Sequence, residues 1–476
     1  MLRSTETKAT QRKAFPNHRN YRIDDLTACV PREAPLTELP ASFKDWDSLA
    51  ARLSCKNDEE VRAFRAAVDA MPPLDHTTLT EIREIQRGFM LIAHIAQTYV
   101  FGMPGSQPLQ ELPEQVAQPY VALAERLGCR PVMAVAPYAF YNWRVDETRP
   151  WWSESRNITF PALQICHTLT PTEQLFGSIS VLSESIAGPL YPHITRALET
   201  VDKDGDDAQF IVRECLEGVL QSIRDIMEAT QEIWKGCDPA TFFRQVRTFL
   251  SGWSDPQLFP NGLLFRGVTT FTESPDPIDP YALSTATVTN QPNDPVVHKA
   301  LAGDPGIRLK FAGASAAQNP SVAACDLFLG VHHRGQVGDS LSSNGKHHNL
   351  LAEVRNHMEG PHRRYLNDLA RHGGLRPWLT RKLEESPDQP GVREMGVAYN
   401  ACVEDLTAFR SKHLAIATQF VVLEAKKALR EKAAMTGTPE GEGSEEAKGS
   451  GGSSVVPFLK QARSETSETK VVTSPR

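Results

Sequence analysis

The chain has 476 residues, of which 40% are hydrophobic and 23% are charged, and its net charge is −7. This balance is typical of a globular protein with a sizeable core, and the net negative charge argues against nucleic-acid binding. The longest apolar runs are too short to span a bilayer, so the sequence predicts no membrane interaction.

Two features bear on the cellular compartment. Residues 1–20 are basic and almost without an apolar face, which predicts a flexible tail, with a mitochondrial transit peptide as the alternative. The eight cysteines are scattered and form no CxxC pair, which indicates free, mostly buried thiols in a reducing compartment. We therefore expect a cytoplasmic protein. A CxxCH motif for covalent haem attachment does not occur in the sequence.

Prolines divide the first third of the chain into short segments. Between them, residues 78–100 form an apolar helix face with spacings of three or four, and residues 113–127 form a second helix. We expect residues 21–168 to make a smaller, mostly helical domain with a short hairpin at most.

The helical pattern strengthens from residue 169 onward, and Asp238-Pro239 is a typical helix start. The sequence predicts helices over residues 172–186, 212–233, 240–253, 348–369 and 393–431. Residues 169–435 are expected to form a large all-α domain, interrupted by surface excursions at 273–305 and 334–346. The predicted fold class is all-α, followed by a mobile Gly/Ser/Glu-rich loop (436–454) and a C-terminal segment and tail (455–476).

The longest predicted helix carries the most informative pattern. An apolar stripe with alternating spacings of four and three includes Met395, Tyr399, Cys402, Leu406, Phe409, His413, Ile416 and Phe420. His413 is either a core histidine satisfied by one hydrogen bond or a neutral imidazole that binds haem iron from a rigid helix. Arg410 lies on nearly the same face, where either a haem propionate or a neighbouring acid would pair with it.

The segment Phe409–Phe420 resembles the proximal-histidine helix of the indoleamine 2,3-dioxygenase family. Further segments resemble the same family in the same order, and they lie at residues 142–144, 242–253, 311–318, 325–330, 361–363 and 448–453. This ordered set is specific, although no single segment is. The two long excursions suggest a fungal-type member.

The resemblance implies a haem b cofactor with O2 as co-substrate. His413 matches the proximal iron ligand, Arg410 the arginine beside the haem propionates, and Asp326 the acidic partner of that arginine. Ser315 lies in the loop that closes over the haem edge.

The resemblance also implies a set of substrate contacts: Phe176 and Ser180 in the distal pocket, Phe242 against the indole, Arg247 on the carboxylate, and Ser453 in a loop over the substrate. On an ideal helix Arg247 shares a face with Phe243 rather than Phe242. The first turn after a cap is often irregular, so both phenylalanines remain candidates, with Phe242 first.

One stretch departs from the family. Some members line the pocket with a tyrosine or cysteine from the segment before Asn142, and here residues 134–140 read Ala-Val-Ala-Pro-Tyr-Ala-Phe. The pocket shape and the tolerance of substituted indoles are therefore left open by the sequence.

The implied function is an oxidoreductase that opens the indole ring of L-tryptophan to N-formylkynurenine, the first step of the kynurenine pathway in tryptophan breakdown or NAD synthesis. No acid or base is expected to act, with the chemistry at the haem iron, and the enzyme is expected to be a monomer. One alternative is a catalytically weak haem-binding paralogue or sensor, against which the Phe242–Arg247 pair argues. The others are a zinc protein using His332-His333 with His347-His348, and a helical scaffold.

Overall fold

The computed structural model describes residues 15–152, 157–272, 287–288, 297–298, 303–334, 350–436 and 455–473. Helices dominate these residues, which confirms the predicted all-α class. The helices are α1 (Lys44–Ala50), α2 (Asp58–Asp69), α3 (Ile82–Phe101), α4 (Glu114–Leu127), α5 (Pro171–Ser185), α6 (Leu190–Lys203), α7 (Ala208–Gln231), α8 (Pro239–Thr241), α9 (Pro320–Leu329), α10 (Leu350–Glu353), α11 (Gly360–His372), α12 (Arg376–Glu385), α13 (Pro390–Ala417), α14 (Glu424–Thr436) and α15 (Val455–Ser467).

The described residues also contain eight strands, most of them only two to four residues long. They are β1 (Glu111–Leu112), β2 (Trp143–Trp152), β3 (Asn157–Leu163), β4 (Leu263–Arg266), β5 (Phe271–Thr272), β6 (Thr287–Val288), β7 (Val297–His298) and β8 (Gly306–Leu309). Strands β2 and β3 form an antiparallel hairpin, longer than the sequence predicts. A small sheet has the order β1-β4-β8-β7, in which only β1 and β4 are parallel.

The N-terminal part is built around α3, which packs on α1, α2 and α4 and is buried along most of its length. Glu81 and Glu84 form a capping box, and this box starts the helix at Ile82, later than the predicted residue 78. The predicted helix over 113–127 is confirmed as α4.

The chain is packed from Phe15 onward, so the predicted flexible tail of residues 1–20 is too long. The Phe15 ring lies 5.6 Å from the Tyr365 ring in an edge contact, and His18 Nδ1 lies 3.0 Å from Thr195 Oγ1. Both Phe15 and His18 are buried. The basic residues before position 15 lie outside the described residues, and their role as tail or transit peptide stays a prediction.

The C-terminal part is a bundle in which α13 packs on α7 and α15, and α6 packs on α7. The predicted helix over 393–431 is confirmed, because α13 continues through a π turn (Thr418–Leu423) into α14. The single helix predicted over 348–369 is wrong. Met358 is extended there, and a new helix begins at Gly360 with Pro361 in its first turn. A helix continued through Pro361 would lack the hydrogen bond from that residue to the His357 carbonyl, and the proline ring would clash with the same carbonyl.

The hydrophobic core is one cluster of buried residues that runs from Phe15 to Phe420 and includes both parts. The domain boundary near residue 168 stays a prediction. All eight cysteines are free and six of them are buried, as the sequence predicts. Among the helices of the described residues, none combines the length and apolarity needed to cross a bilayer.

Candidate functional site

The segment after Asp238 is less regular than the predicted helix over 240–253. The Asp238 carboxylate accepts a hydrogen bond of 2.6 Å from the Thr241 N–H, and Pro239 takes the first helical position, which confirms the predicted start. Beyond α8 the chain forms a π turn (Phe242–Val246) and a 3-10 turn (Arg247–Leu250), and the helix ends there.

This π turn bears on the choice between Phe242 and Phe243. The Arg247 N–H donates to the Phe242 carbonyl, five residues back. Successive residues of a π turn are rotated about the helix axis by a smaller angle than those of an α-helix. Phe242 therefore lies closer to the side of the helix that carries Arg247 than it would on an ideal α-helix. The two rings have different neighbours, since Phe242 is buried and Phe243 is half-buried beside the Arg247 side chain.

Aromatic rings from four elements form a continuous wall. The Phe176 ring on α5 lies 4.7 Å from the Phe242 ring, which lies 5.8 Å from Phe420 in the π turn after α13. Tyr138, in a further π turn (Ala136–Phe140), lies 6.2 Å from Phe176. Tyr138 belongs to the segment 134–140 for which the sequence left the pocket lining open, and its ring contact is with Phe176. The wall joins α5 to the helix that carries His413.

Two polar side chains lie on the segments that carry Phe176 and Phe242. Ser180, one turn beyond Phe176 on α5, donates its hydroxyl to the Phe176 carbonyl at 3.1 Å. The Arg247 guanidinium carbon lies 5.4 Å from the centre of the Phe243 ring. Burial lowers the pKa of Arg247 and the Asp255 charge opposes that effect, and the guanidinium stays charged at neutral pH. Such a group offers a carboxylate two parallel hydrogen bonds.

His413 lies deep in the protein, yet its side chain keeps part of its accessible surface. Its ring stacks near Phe409, with 6.3 Å between the ring centres. Within the described parts of the chain, neither ring nitrogen has a hydrogen-bond partner. Burial, with a smaller effect from the Arg410 charge, lowers the pKa of His413 to about 4. The imidazole is therefore neutral at physiological pH, which is the form that binds iron.

Arg410 and Asp326 form a buried pair. Arg410 Nη2 donates to both carboxylate oxygens of Asp326, at 2.8 and 2.6 Å. Burial would raise the pKa of Asp326, but Arg410 and His333 lower it to about 2. Arg410 Nη1 is buried without a hydrogen-bond partner among the described residues. A buried donor of this kind is costly unless an acceptor is supplied, and a propionate carboxylate would supply one. The residues present therefore fit a haem.

The loop that contains Ser315 is held against the end of the Arg247 segment. Ala314 N–H donates to the Leu250 carbonyl at 2.9 Å, and Ser315 caps a 3-10 turn through the Ala317 N–H at 3.3 Å. The two backbones approach so closely that a Cβ on Gly313 would lie 2.1 Å from the Leu250 oxygen. Glycine is required at this contact for lack of space.

Gly313→Ala is expected to destabilise the protein by about 1–3 kcal/mol, because the backbones must separate to admit the methyl group. Urea unfolding would measure the change. Gly205→Ala is the matched control, since a Cβ there meets nothing within 4 Å. Equal midpoints for the Gly313 variant and the unaltered protein would contradict the close contact.

Some predicted residues lie outside the described residues. Ser453 and the loop over 437–454 belong to this group, as do His347 and His348. His332 is exposed, and the described residues contain no cluster of three or more histidine, cysteine or acidic side chains that could hold a metal ion. Of the predicted site residues, the structure places Phe176 in ring contact with Phe242 and Arg410 in an ion pair with Asp326.

A helical bundle with a neutral histidine in the interior and an unpaired buried arginine donor has the groups that a helical haem protein needs. The comparison with known families agrees. A sequence profile described as indoleamine 2,3-dioxygenase matches residues 17–469, and the chain belongs to this family. Its members are haem-dependent dioxygenases that use O2.

Relatives in mammals and fungi align over nearly the whole chain. Indoleamine 2,3-dioxygenase 2 of Mus musculus is 28% identical over 91% of each chain. Indoleamine 2,3-dioxygenase of Saccharomyces cerevisiae is 25% identical over 96% of this chain and 94% of the yeast protein. A 6-hydroxytryptophan 2,3-dioxygenase of Fusarium equiseti is 24% identical, over 95% and 97%.

Proposed function

We propose that this protein opens the indole ring of L-tryptophan to give N-formylkynurenine, the first step of the kynurenine pathway. The observation that carries the proposal is the segment that holds both Phe242 and Arg247. Phe242 packs on Phe176 in the aromatic wall, and Arg247 follows the same π turn with its guanidinium over the Phe243 ring. An apolar surface and a cation supplied by the same segment suit a flat aromatic amino acid held by its carboxylate.

The proposed cofactor is haem b. His413 is the proposed iron ligand, and Arg410, fixed by Asp326, is the proposed partner of a propionate through its unpaired Nη1. Ser315 is proposed to lie at the haem edge, because its loop is fastened to the end of the Arg247 segment. When bound, haem supplies the activation of O2.

The protein's own side chains bind and orient the substrate. Phe176 and Phe242 hold the indole and exclude water, and Arg247 orients the amino acid. Ser180 contributes one small hydroxyl, which is tied to its own helix. The proposed site residues include no carboxylate or second histidine facing the substrate, so no protein acid or base is assigned to the reaction.

The proposal also includes a loop over the substrate, the oligomeric state and the cellular location. Ser453 is proposed to lie in a loop over the substrate. The protein is proposed to act as a monomer with small-molecule partners only, L-tryptophan and O2. A cytoplasmic location is supported by eight free cysteines, since such thiols persist in a reducing compartment.

The test is turnover by the haem-loaded, reduced protein with O2 and one of three substrates: L-tryptophan, tryptamine or 6-hydroxytryptophan. We expect N-formylkynurenine, and the highest kcat/KM on L-tryptophan. A haem spectrum that responds to tryptophan without product would favour a weak paralogue or sensor. Higher kcat/KM on 6-hydroxytryptophan would keep the reaction class and reassign the substrate.

A further inference from the structure

A cluster of charged side chains, made of His333 and Glu465, adjoins the Asp326–Arg410 pair. His333 Nε2 is 3.3 Å from Asp326 Oδ2, and His333 Nδ1 is 2.8 Å from Glu465 Oε2. The side chains of His333 and Glu465 are only 10% and 6% exposed. His333 therefore links two buried carboxylates, one on α9 and one on α15.

Glu465 is itself held in a fixed position. Its Oε1 accepts hydrogen bonds from the Arg334 N–H at 3.0 Å and from Gln461 Nε2 at 2.8 Å. The same amide nitrogen of Gln461 also donates to the Arg334 carbonyl at 3.0 Å. A continuous chain of contacts thus runs from Glu465 through His333 and Asp326 to Arg410, across α15, α9 and α13.

The charges around His333 favour its protonated form. Burial would lower the pKa of His333, but the Asp326 charge and the hydrogen bonds to Asp326 and Glu465 outweigh both burial and the Arg410 charge, and raise it. A protonated imidazole donates from both nitrogens, one to each carboxylate. A neutral imidazole donates from one nitrogen only, so one of the two carboxylates loses the hydrogen bond that His333 donates to it.

We propose that His333 and Glu465 are positioning residues that fix Asp326, and through it Arg410, toward a porphyrin carboxylate, and that they dock the C-terminal helix onto the cofactor site. This inference rests on the proposed haem function. Neither residue lies in a segment that carries the family resemblance, and in the sequence His333 is a candidate only for the alternative zinc site.

The experiment measures the rate at which the haem-loaded protein loses haem to excess apomyoglobin. We expect loss to be on the order of tenfold faster in His333→Ala and Glu465→Ala, because each removes a charge-assisted hydrogen bond from the chain of contacts. Glu468→Ala is the matched control, since Glu468 lies three residues after Glu465 but is exposed and pairs with the exposed Arg334 side chain. Its rate should equal that of the unaltered protein.

A pH series separates positioning from a general loss of packing. The pKa of His333 is raised above its ordinary 6.5, so the double contact is complete below that value and is lost as pH rises through the higher value in the folded protein. Haem loss from the unaltered protein should therefore accelerate as pH rises through that range. His333→Gln does not titrate, and it should remove this step while retaining one contact.

The possible results are distinct. If the His333 and Glu465 variants take up haem and lose it at the unaltered rate, the positioning role is overturned and the haem function stands. If the unaltered protein binds no haem, the proposed function fails, and the inference fails with it. If His333→Ala does not fold, His333→Gln and Glu465→Gln make the same comparison with side chains of similar size.

Discussion

Replacing His413 with alanine is expected to abolish stoichiometric haem binding, or to leave a weak complex with an altered visible spectrum. The imidazole is neutral in the folded protein and has no hydrogen-bond partner among the described residues, so its nitrogen is available to iron. The measurement is the haem-to-protein ratio after reconstitution, together with the position of the Soret band.

Two controls make this result specific. Lys412→Ala changes the exposed neighbour on the same helix and should leave haem content unchanged. Alanine is the best helix former, so α13 should persist in the His413 variant, and added imidazole should restore part of the spectrum. Normal haem content and activity in His413→Ala would remove His413 as the iron ligand.

Arg247→Ala is expected to bind haem normally and to use L-tryptophan poorly. A charge-assisted hydrogen bond contributes roughly 1.5–3 kcal/mol, so kcat/KM should fall on the order of ten- to a hundredfold. Lysine at this position should restore only part of the activity, since an ammonium lacks the planar fork that grips both oxygens of a carboxylate. Steady-state kinetics on the haem-loaded variants measure the effect.

The substrate comparison identifies the cause of the Arg247 effect. Tryptamine lacks the carboxylate, so the variant and the unaltered protein should differ much less on it, if it is turned over. Arg244→Ala is the matched variant, because Arg244 lies on the same segment but pairs with Glu431 on α14 at 2.7 Å, in an exposed position. Equal losses on both substrates would make Arg247 a structural residue.

The long helices were predictable because each repeats an apolar face over several turns. The apolar stripe through His413 is an example, and in the structure the burial of its residues changes along the helix. Tyr399 and Cys402 are buried in the core, whereas Phe409 and His413 are half-buried. The spacing alone does not reveal that change, because exposure at a helix position depends on what packs opposite it.

The irregular segments were not predictable from periodicity. The π turn at Phe242 and the break at Met358 change the direction of side chains without changing the residue types that the pattern depends on. The family resemblance supplied Asp326 as the partner of Arg410, a contact between residues far apart in sequence. His333 and Glu465 are farther apart still, and no local pattern joins them.

An isotope experiment is the most direct test of the proposed insertion of both atoms of O2 into the indole of L-tryptophan. The haem-loaded, reduced protein is supplied with L-tryptophan and ¹⁸O₂, and the product is analysed by mass spectrometry. We expect N-formylkynurenine that carries two labelled oxygens and is absent from reactions with the His413→Ala protein. Unaltered tryptophan, or a product with one labelled oxygen or none, would contradict it.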